Sequence, residues 1–451
     1  MLRDLLAIRR DPLAYLARTA ARHGDLVAFP LPRTPVLLVN TVAGARRVLV
    51  ENAGAWSKRT VQYGALSLVT GSGLLTSDGT AWRSARRAVQ PAFHPAGLGA
   101  VAEQSVAAAE RMRTRWSAAG GDGGGDGGVV DVDAAALQAT LEVVGRTLFG
   151  SDVADDGERV VSAVLQALDV VIARARTPLP VPQRAPTRAN RRLARARRVL
   201  DEVVERVVSR RRAAGVAAGD TDLLALLLRA VDAGALPPQA VRAELVTMVI
   251  AGHETVASAL TWTLHQLAQH PEAQARLHAE LDAVLGGRAP TWEDLPSLRW
   301  TRAVVDEALR LQPPAWVVTR RAEADDVVDG VAVPAGALAI VSPWLLHRRA
   351  DAFADPARFD PERFLEGSGA PAVPRGAYLP FGAGSRLCIG RDFALVETVL
   401  VLAALLRDRR VEPVGDRPPV VQALVTLRPR GGLPLRLRTR RVGTLKADAR
   451  C

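Results

Sequence analysis

Hydrophobic and polar positions alternate with a helical period over much of the chain. The longest such stretch covers about residues 238–269, where Pro238 suits the first helical turn and Pro271 ends the run. Shorter stretches with the same period predict helices over Pro12–His23 and over residues 391–407. The middle of the chain is therefore expected to be strongly helical.

Short apolar runs bounded by turn residues predict a smaller set of strands. One is expected at residues 35–40, and others at 421–427 and 433–437, near the end of the chain. Residues 331–336 predict a hairpin corner. The pattern indicates a mainly α fold with a smaller β portion. No linker divides the chain, so a single domain over residues 1–451 is expected.

Three segments lack a regular pattern. Residues 120–128 are glycine and aspartate only, which predicts a surface loop, since glycine is costly inside helices and strands. Four prolines in residues 177–187 predict a break between two helices. Residues 440–451 are expected to form a loose C-terminal tail.

Composition narrows the protein class. The chain is 48% hydrophobic and 24% charged, which excludes a disordered or collagen-like protein. Arginine supplies nearly all the basic charge, because the only lysines are Lys58 and Lys446. This usage, with abundant alanine, glycine and proline, is typical of a GC-rich bacterial gene. The net charge of +12 permits acidic partners without selecting one.

The two cysteines, Cys388 and Cys451, are too few for a disulfide framework or a cysteine-rich zinc site. The sequence contains no signal-peptide core and no apolar run long enough to cross a bilayer. We therefore expect a cytoplasmic protein without a membrane span.

An arginine-rich segment covers residues 188–212. Its apolar residues recur near helical spacing, which predicts a solvated basic face over a buried stripe. No aromatic residues are interleaved with the arginines and no nucleic-acid motif accompanies them, so nucleic-acid binding is not expected. The predicted buried stripe consists of Leu193, Leu200, Val203, Val204 and Val207.

The most informative segment for chemistry is residues 381–390, with the sequence FGAGSRLCIG. Cys388 lies just before a predicted helix start and close to Arg386. Free backbone N–H groups and the positive end of a helix lower the pKa of a thiol, so this position favours a thiolate. Its glycines would let the backbone approach a flat ligand closely. A buried cysteine in a glycine-rich turn is the alternative.

This segment resembles, position for position, the F-x-x-G-x-R-x-C-x-G cysteine loop of the cytochrome P450 family. The resemblance implies the P450 fold, with haem b as cofactor and Cys388 as the axial ligand of the haem iron. It also implies that Arg386 contacts a haem propionate. Phe381, Gly382 and Gly390 belong to the same cofactor-binding loop.

A second family motif lies in the long predicted helix. Residues 251–255, AGHET, resemble the oxygen-activation motif A-G-x-[ED]-T. A threonine hydroxyl that bonds back to a carbonyl one turn earlier can open a helix locally, assisted here by Gly252. The resemblance assigns proton delivery to Thr255 with Glu254 as its acidic neighbour, beside Ala251 and Gly252. A small-residue packing face is the alternative. An H-E-x-x-H zinc site is excluded, because Ala257 occupies the second histidine position.

A third motif pairs Glu307 with Arg310, three residues apart on one helix face. The spacing alone is weak evidence, since Glu110 and Arg113 share it and usually such a pair is a solvated ion pair. The resemblance favours the later copy and implies a buried structural triad with Arg363.

The resemblance also assigns haem propionate contacts. Trp82 and Arg86 match the W-x-x-x-R pattern of the family, and Arg320 follows the E-x-x-R helix. Arginine suits this role because its planar fork binds a carboxylate bidentately. Order along the chain selects the first pair, since two later tryptophans have the same spacing to an arginine.

Taken together, the resemblance implies a monooxygenase that inserts one oxygen atom from O2 into an apolar small molecule by hydroxylation or epoxidation. Terpenoid or macrolide tailoring in secondary metabolism is the preferred substrate class. A fatty-acid hydroxylase or a peroxide-driven enzyme is the alternative, and a haem sensor or carrier is less favoured.

Electrons are expected from a ferredoxin and its reductase, because the chain contains no flavin or iron–sulfur module, and the enzyme is expected to be a monomer. The candidates for contact with this acidic partner are Arg83, Arg87, Arg358 and Arg391. The expected substrate-pocket residues are 61–69, Thr247, Ala251, 316–318, Leu424 and Val425.

Overall fold

The computed structural model describes most of the chain. The described residues are 7–8, 10–29, 35–119, 128–150, 157–175, 182, 184–217 and 219–440. Of the loop predicted at 120–128 only Gly128 is among them, and of the predicted tail only Arg440 is. The proline-rich break at 177–187 also lies largely outside the described residues.

Helices form most of the described fold. They are α1 Pro12–His23, α2 Val42–Arg46, α3 Val61–Thr70, α4 Gly79–Val89, α5 Leu98–Ala119, α6 Val132–Leu148, α7 Gly157–Ala175, α8 Arg188–Ala214, α9 Leu223–Asp232, α10 Gln239–Gln269, α11 Pro271–Leu285, α12 Arg299–Leu311, α13 Pro343–Leu346 and α14 Arg391–Leu406. The helices predicted near the start of the chain, in its middle and after the cysteine loop are confirmed as α1, α10 and α14.

Short strands form small sheets at the periphery. They are β1 Leu26–Phe29, β2 Val36–Val39, β3 Trp56–Ser57, β4 Val129–Asp131, β5 Val318–Ala322, β6 Asp326–Val328, β7 Val331–Val333, β8 Leu338–Val341, β9 Arg409–Pro413, β10 Val421–Ala423, β11 Leu427–Pro429 and β12 Pro434–Thr439. The largest sheet has the order β1-β2-β8-β5-β3, in which only β2 and β8 pair in parallel. The other sheets are β4-β12-β9, β10-β11 and β6-β7.

The prediction of a hairpin corner at residues 331–336 is wrong in detail. The hairpin turn lies just before that segment, at Asp329 and Gly330, both of which have positive φ. Residues 334–336 instead connect β7 to β8, which belong to different sheets. The local proline and glycine signal marks a turn correctly, but only long-range pairing decides which strands the turn joins.

Helix α10 forms the centre of the helical core. It is buried along most of its length, so it shows little amphipathic patterning, as expected for a helix surrounded by others. It packs against α6, α12 and α14. A smaller apolar cluster lies under the five-stranded sheet, around Trp56 and Val341.

The arginine-rich segment forms α8, as predicted. Four residues of the predicted apolar stripe are buried and Val204 is half-buried, while arginines such as Arg191 and Arg195 are exposed. None of the helices among the described residues combines the length and the apolar character that crossing a membrane requires.

Candidate active site

A largely apolar cavity of about 310 Å³ lies between α10, the start of α14 and the segment 381–390. Residues from α3, α10 and β5 form its apolar wall, and charged groups lie at one side. The residues that matter for the argument below are Lys58, Tyr63, Ala251, Gly252, Glu254, Thr255, Val317, Val318, Arg320, Phe381, Gly382, Arg386, Cys388, Gly390, Val425 and Thr426.

Cys388 opens onto this cavity from the loop that precedes α14. Its backbone N–H donates to the Phe381 carbonyl (3.0 Å), which closes the loop on itself. Gly384 has φ +68°, and a Cβ there would overlap the Leu49 carbonyl oxygen. The loop therefore needs glycine at this position to pack against the neighbouring chain segment.

The structure corrects the expectation of a lowered thiol pKa. Burial raises the pKa of Cys388 above its usual value. The Gly390 N–H and the charges of Arg86 and Lys58 lower the pKa and do not outweigh burial. Cys388 would hold a metal ion as its thiolate, so metal binding here would have to displace the thiol proton.

Three cations gather at one side of the cavity, namely Lys58, Arg320 and Arg386. Burial lowers the pKa of Lys58 well below its usual value, and the charges of Arg320 and Arg386 lower it further. Its Nζ donates to the Leu75 carbonyl (2.9 Å), an uncharged acceptor. Such a buried cluster favours anionic groups, so the site fits the two carboxylates of haem on its own chemistry.

Arg386 lies among groups from the start of α4. Its guanidinium stacks over the Trp82 ring, with its central carbon 3.8 Å from the ring centroid, and forms an ion pair with Asp78 (2.5 Å). Burial lowers the pKa of Arg386 to about 10, against the opposing charge of Asp78. Arg86, one turn further along α4, donates to the Leu387 carbonyl (3.1 Å) of the cysteine loop. Trp82 and Arg86 thus contact the cysteine loop, and neither is among the described residues that line the cavity.

Along α10 the cavity meets the AGHET segment. The Thr255 hydroxyl donates back to the Ala251 carbonyl (2.6 Å), one turn earlier. A Cβ on Gly252 would lie 2.9 Å from a Val144 side-chain carbon, so only glycine permits α6 to pack this closely. Ala251, Gly252 and Thr255 all line the cavity, as the motif predicted.

Glu254 follows the same helix and is buried. The Thr426 hydroxyl donates to its Oε1 (3.1 Å), whereas Oε2 has no hydrogen-bond partner among the described residues. Burial raises the pKa of Glu254 to about 7, against the opposing charge of Arg428. A carboxyl group with this pKa can give up and regain a proton near neutral pH. The neighbouring His253 is buried, and burial lowers its pKa to about 4, so it stays neutral.

Glu307, Arg310 and Arg363 lie together outside the cavity. Arg310 donates to both carboxylate oxygens of Glu307 (2.7 Å each), and both side chains are fully buried. Arg363 Nε lies 3.4 Å from Glu307 Oε1, and the Asp360 N–H donates to the same oxygen (2.8 Å). The arrangement connects α12 to the segment that leads toward the cysteine loop.

Nine of the predicted pocket residues do not line the cavity, among them Trp316, Leu424 and Thr247. Trp316 donates its indole N–H to the Leu424 carbonyl (2.9 Å) and belongs to an apolar cluster that includes Ala423 of β10. Thr247 faces Gly73, where α10 meets the segment before α4. The predicted residues that do line it are Gln62, Tyr63, Leu66, Ala251, Val317, Val318 and Val425.

Sequence reasoning missed Lys58 and Thr426. Lys58 carries a usable signal, since it is one of only two lysines in a chain with 59 basic residues. Thr426 carries none, because its contact with Glu254 joins positions 172 residues apart. Only the folded chain brings these groups together.

The chain is similar to known proteins in sequence and in fold. The sequence model of the family described as "Cytochrome P450" matches residues 4–434. The chain is 39% identical to cyclooctat-9-en-7-ol 5-monooxygenase of Streptomyces melanosporofaciens, over 92% of this chain and 88% of that protein. It is 36% identical to pentalenene oxygenase of Streptomyces avermitilis, over 96% and 94% of the two chains.

A crystal structure of a cytochrome P450 from Thermus thermophilus superimposes on the fold with a TM-score of 0.77. That protein is 35% identical, and the match covers 96% of this chain and 97% of the other.

Proposed function

The chain belongs to the cytochrome P450 family and is a haem-thiolate monooxygenase with haem b as its cofactor, and from that premise we propose that it oxidises a terpenoid bound over Cys388. The observation that carries the proposal is the cavity itself. It has the Cys388 thiol, the Glu254 and Thr255 side chains and a cluster of cations on its walls, and apolar side chains around the rest.

Each polar group of the site has a distinct role in this proposal. When bound, haem b supplies the redox chemistry that cleaves O2 and inserts one oxygen atom into the substrate. Cys388 provides the thiolate ligand. Lys58, Arg320 and Arg386 would hold the haem carboxylates, whose negative charge would offset the effect of the arginines on the pKa of Lys58. Trp82 and Arg86 hold the cysteine loop and Arg386 in place for this contact.

Proton supply is proposed to come from α10. Thr255 presents its hydroxyl oxygen at the cavity wall while its hydrogen is held by the Ala251 carbonyl. Glu254, with a pKa of about 7, exchanges protons at the pH of a cell. Gly252 keeps α10 close to α6, and the apolar wall excludes the water that would otherwise compete for these protons.

The terpenoid assignment is supported by relatives and by the cavity lining. Two relatives carry names that state oxidation of cyclooctat-9-en-7-ol and of pentalenene. The apolar wall includes Leu66, Val317, Val318 and Val425, which match an apolar ring system and provide no charged group to bind a free carboxylate. In this proposal the three cations of the cavity are taken up by the haem carboxylates, so none is left for the carboxylate of a fatty acid, and the terpenoid is the better match.

We also propose a ferredoxin as the electron donor to a monomeric, single-domain enzyme. The four arginines suggested for this contact are all exposed: Arg83, Arg87, Arg358 and Arg391. Two of them flank Arg86, which contacts the cysteine loop, and Arg391 begins α14 directly after it. An acidic partner on this surface would reach the site from the Cys388 side.

The test is a titration of the ferric holoenzyme with cyclic terpenes and with fatty acids of matched carbon number. We expect the terpenes to shift the iron to high spin, and a hydroxylated product to form only with O2 and a ferredoxin system. A spin shift with fatty acids alone would contradict the terpenoid class. A product that needs peroxide and ignores the reductant would contradict the proposed electron supply.

The two cysteines provide a matched pair of control variants for this titration. Cys388→Ser should lose the thiolate carbonyl spectrum and the spin shift, whereas Cys451→Ser should keep both. Retention of the spectrum in Cys388→Ser would contradict the ligand assignment.

A further inference from the structure

Side chains on one face of α10 form hydrogen bonds with the first residue of β11 and with the residue before it. The face carries Glu254, Ser258 and Trp262, which are spaced four residues apart and are all buried. Ser258 Oγ and Trp262 Nε1 both donate to the Leu427 carbonyl, at 2.6 and 2.9 Å. Two donors on one carbonyl hold the backbone of this strand against the helix. The next residue toward the N-terminus, Thr426, is therefore held at Glu254.

A buried arginine continues this contact on the far side. Arg428 forms an ion pair with Asp133 of α6 (2.5 Å), and Thr261 of α10 donates to the same aspartate (3.3 Å). Arg428 Nη1 has no hydrogen-bond partner among the described residues, so its charge is only partly satisfied. The charged groups that act on Glu254 are Arg428, Asp133 and Asp169.

The same short turn also reaches the substrate cavity. Val425 and Thr426 line the cavity together with Glu254, although Thr426 is almost fully buried. A substrate that contacts Val425 therefore contacts the segment that holds the Glu254 carboxyl. The hydrogen bonds from the Ser258 and Trp262 side chains to the Leu427 carbonyl limit how far this segment can move.

We propose that Thr426 is a positioning residue for proton delivery, which holds Glu254 by its Oε1 and so leaves Oε2 as the oxygen that carries the transferable proton. The inference rests on the proposed role of Glu254 in proton supply. The hydroxyl of Thr426 donates to Oε1, which leaves that oxygen less basic than Oε2, since Oε2 lacks a partner. Each proton that leaves Oε2 toward the cavity is replaced by one from solvent, and Arg428 stabilises the carboxylate in the interval.

A role in packing alone would make a different prediction. If Thr426 only filled space, valine would leave the pKa of Glu254 unchanged, because valine has the same β-branched shape and lacks only the hydroxyl. If Thr426 orients and acidifies Glu254, valine should raise the pKa of Glu254, because the bond that favours the charged form is lost. The side chain of serine keeps the hydroxyl and should restore the behaviour of the native enzyme.

The experiment is a pH titration of the Glu254 carboxylic-acid band by infrared difference spectroscopy of the ferric holoenzyme. The band is assigned by its loss in Glu254→Gln. We expect Thr426→Val to move the midpoint upward by roughly 0.5 to 1 pH unit, the net value of one hydrogen bond, and Thr426→Ser to return it. Val425→Ala is the matched control, because it changes the same turn and the cavity without touching Glu254.

An unchanged midpoint in Thr426→Val, or an equal shift in Val425→Ala, would overturn the inference. If Thr426→Val does not take up haem, Thr426→Ala removes the same donor without adding bulk and is judged by the same midpoint. Product formed per electron consumed is the second measurement, and it should fall in Thr426→Val and recover in Thr426→Ser. If Glu254→Gln forms as much product per electron as the native enzyme, the proposed role of Glu254 is wrong. If Glu254→Gln forms less product but Thr426→Val leaves the Glu254 midpoint unchanged, only the positioning role of Thr426 is wrong.

Discussion

Two segments of this protein carry the same four-residue pattern and use it differently. In α5, Glu110 and Arg113 lie 3.1 Å apart, and the glutamate side chain is 39% exposed. In α12, Glu307 and Arg310 lie 2.7 Å apart, and both side chains are 0% exposed. Helical spacing brings both pairs together, but it does not determine whether water can reach them.

The partners of the two arginines explain the difference. Arg113 also pairs with Asp408, and Arg407 joins Glu110 (2.5 Å), so this network bridges α5 and the end of α14 near the surface. Arg310 instead donates to main-chain carbonyls of His347 and Pro356 (2.8 Å each) and of Arg358 (2.9 Å). A surface network can rearrange when one member is lost, whereas main-chain acceptors cannot leave.

The buried pair is also connected to the active site. The His347 carbonyl accepts from Arg310, and the His347 ring accepts from the Leu379 N–H (2.8 Å), two residues before Phe381. Burial lowers the pKa of His347 to about 3, so the ring stays neutral and can keep an acceptor nitrogen. The buried ion pair is thus connected to the cysteine loop, because Arg310 also bonds to His347 and the His347 ring bonds to Leu379.

Glu307→Gln should have the largest effect. It leaves the Arg310 guanidinium buried without a counter-charge, which costs about 3–5 kcal/mol. We expect a large fall in the free energy of unfolding and loss of haem during purification, measured by chemical denaturation and by the absorbance ratio of haem to protein. Glu110→Gln is the control variant with the same change in the other motif. Equal effects in the two variants would contradict the comparison.

Arg363→Gln should have an intermediate effect. Its Nε lies 3.4 Å from Glu307 and has no hydrogen bond, while its Nη2 donates to the Asp355 carbonyl (2.9 Å). Because Arg310 still neutralises Glu307 when Arg363 is absent, we expect a loss of about 1–3 kcal/mol, the cost of a buried group left unsatisfied. Denaturation measures this loss. Arg299→Gln, in an exposed ion pair with Glu366 at the start of α12, is the control, and a larger loss there would argue against the triad.

Glu110→Gln should have the smallest effect, at most about 1 kcal/mol, because exposed ion pairs are solvated and screened. The loss in the free energy of unfolding should become smaller still at high salt. The loss in Glu307→Gln should persist, since salt screens buried pairs much less. Denaturation curves at low and high salt test this. A salt-insensitive loss at Glu110 would show that its network behaves as a buried one.

The candidate site was predictable to the extent that its residues are close in sequence. The cysteine loop and the AGHET segment each place their side chains through a single turn or helix, so the spacing of Cys388, Arg386, Glu254 and Thr255 already indicated their chemistry. The helix limits of α1, α10 and α14 were predictable for the same reason, because their periodicity, and the prolines at the ends of α1 and α10, act locally. The pKa of Cys388 was predicted in the wrong direction, because desolvation of the thiol outweighs the Gly390 N–H and the nearby cations.

By itself, then, the sequence determined the helical class, the cysteine loop and the motif on the long helix, since these depend on residues within a few positions of one another. Three features follow only from the folded chain. Glu307 is buried whereas Glu110 is partly exposed, Lys58 lies near Arg320 and Arg386, and Thr426 donates a hydrogen bond to Glu254. These features depend on contacts between distant segments. Solvent exclusion and electrostatic interaction act through space, and no local pattern along the chain encodes the distances on which they depend.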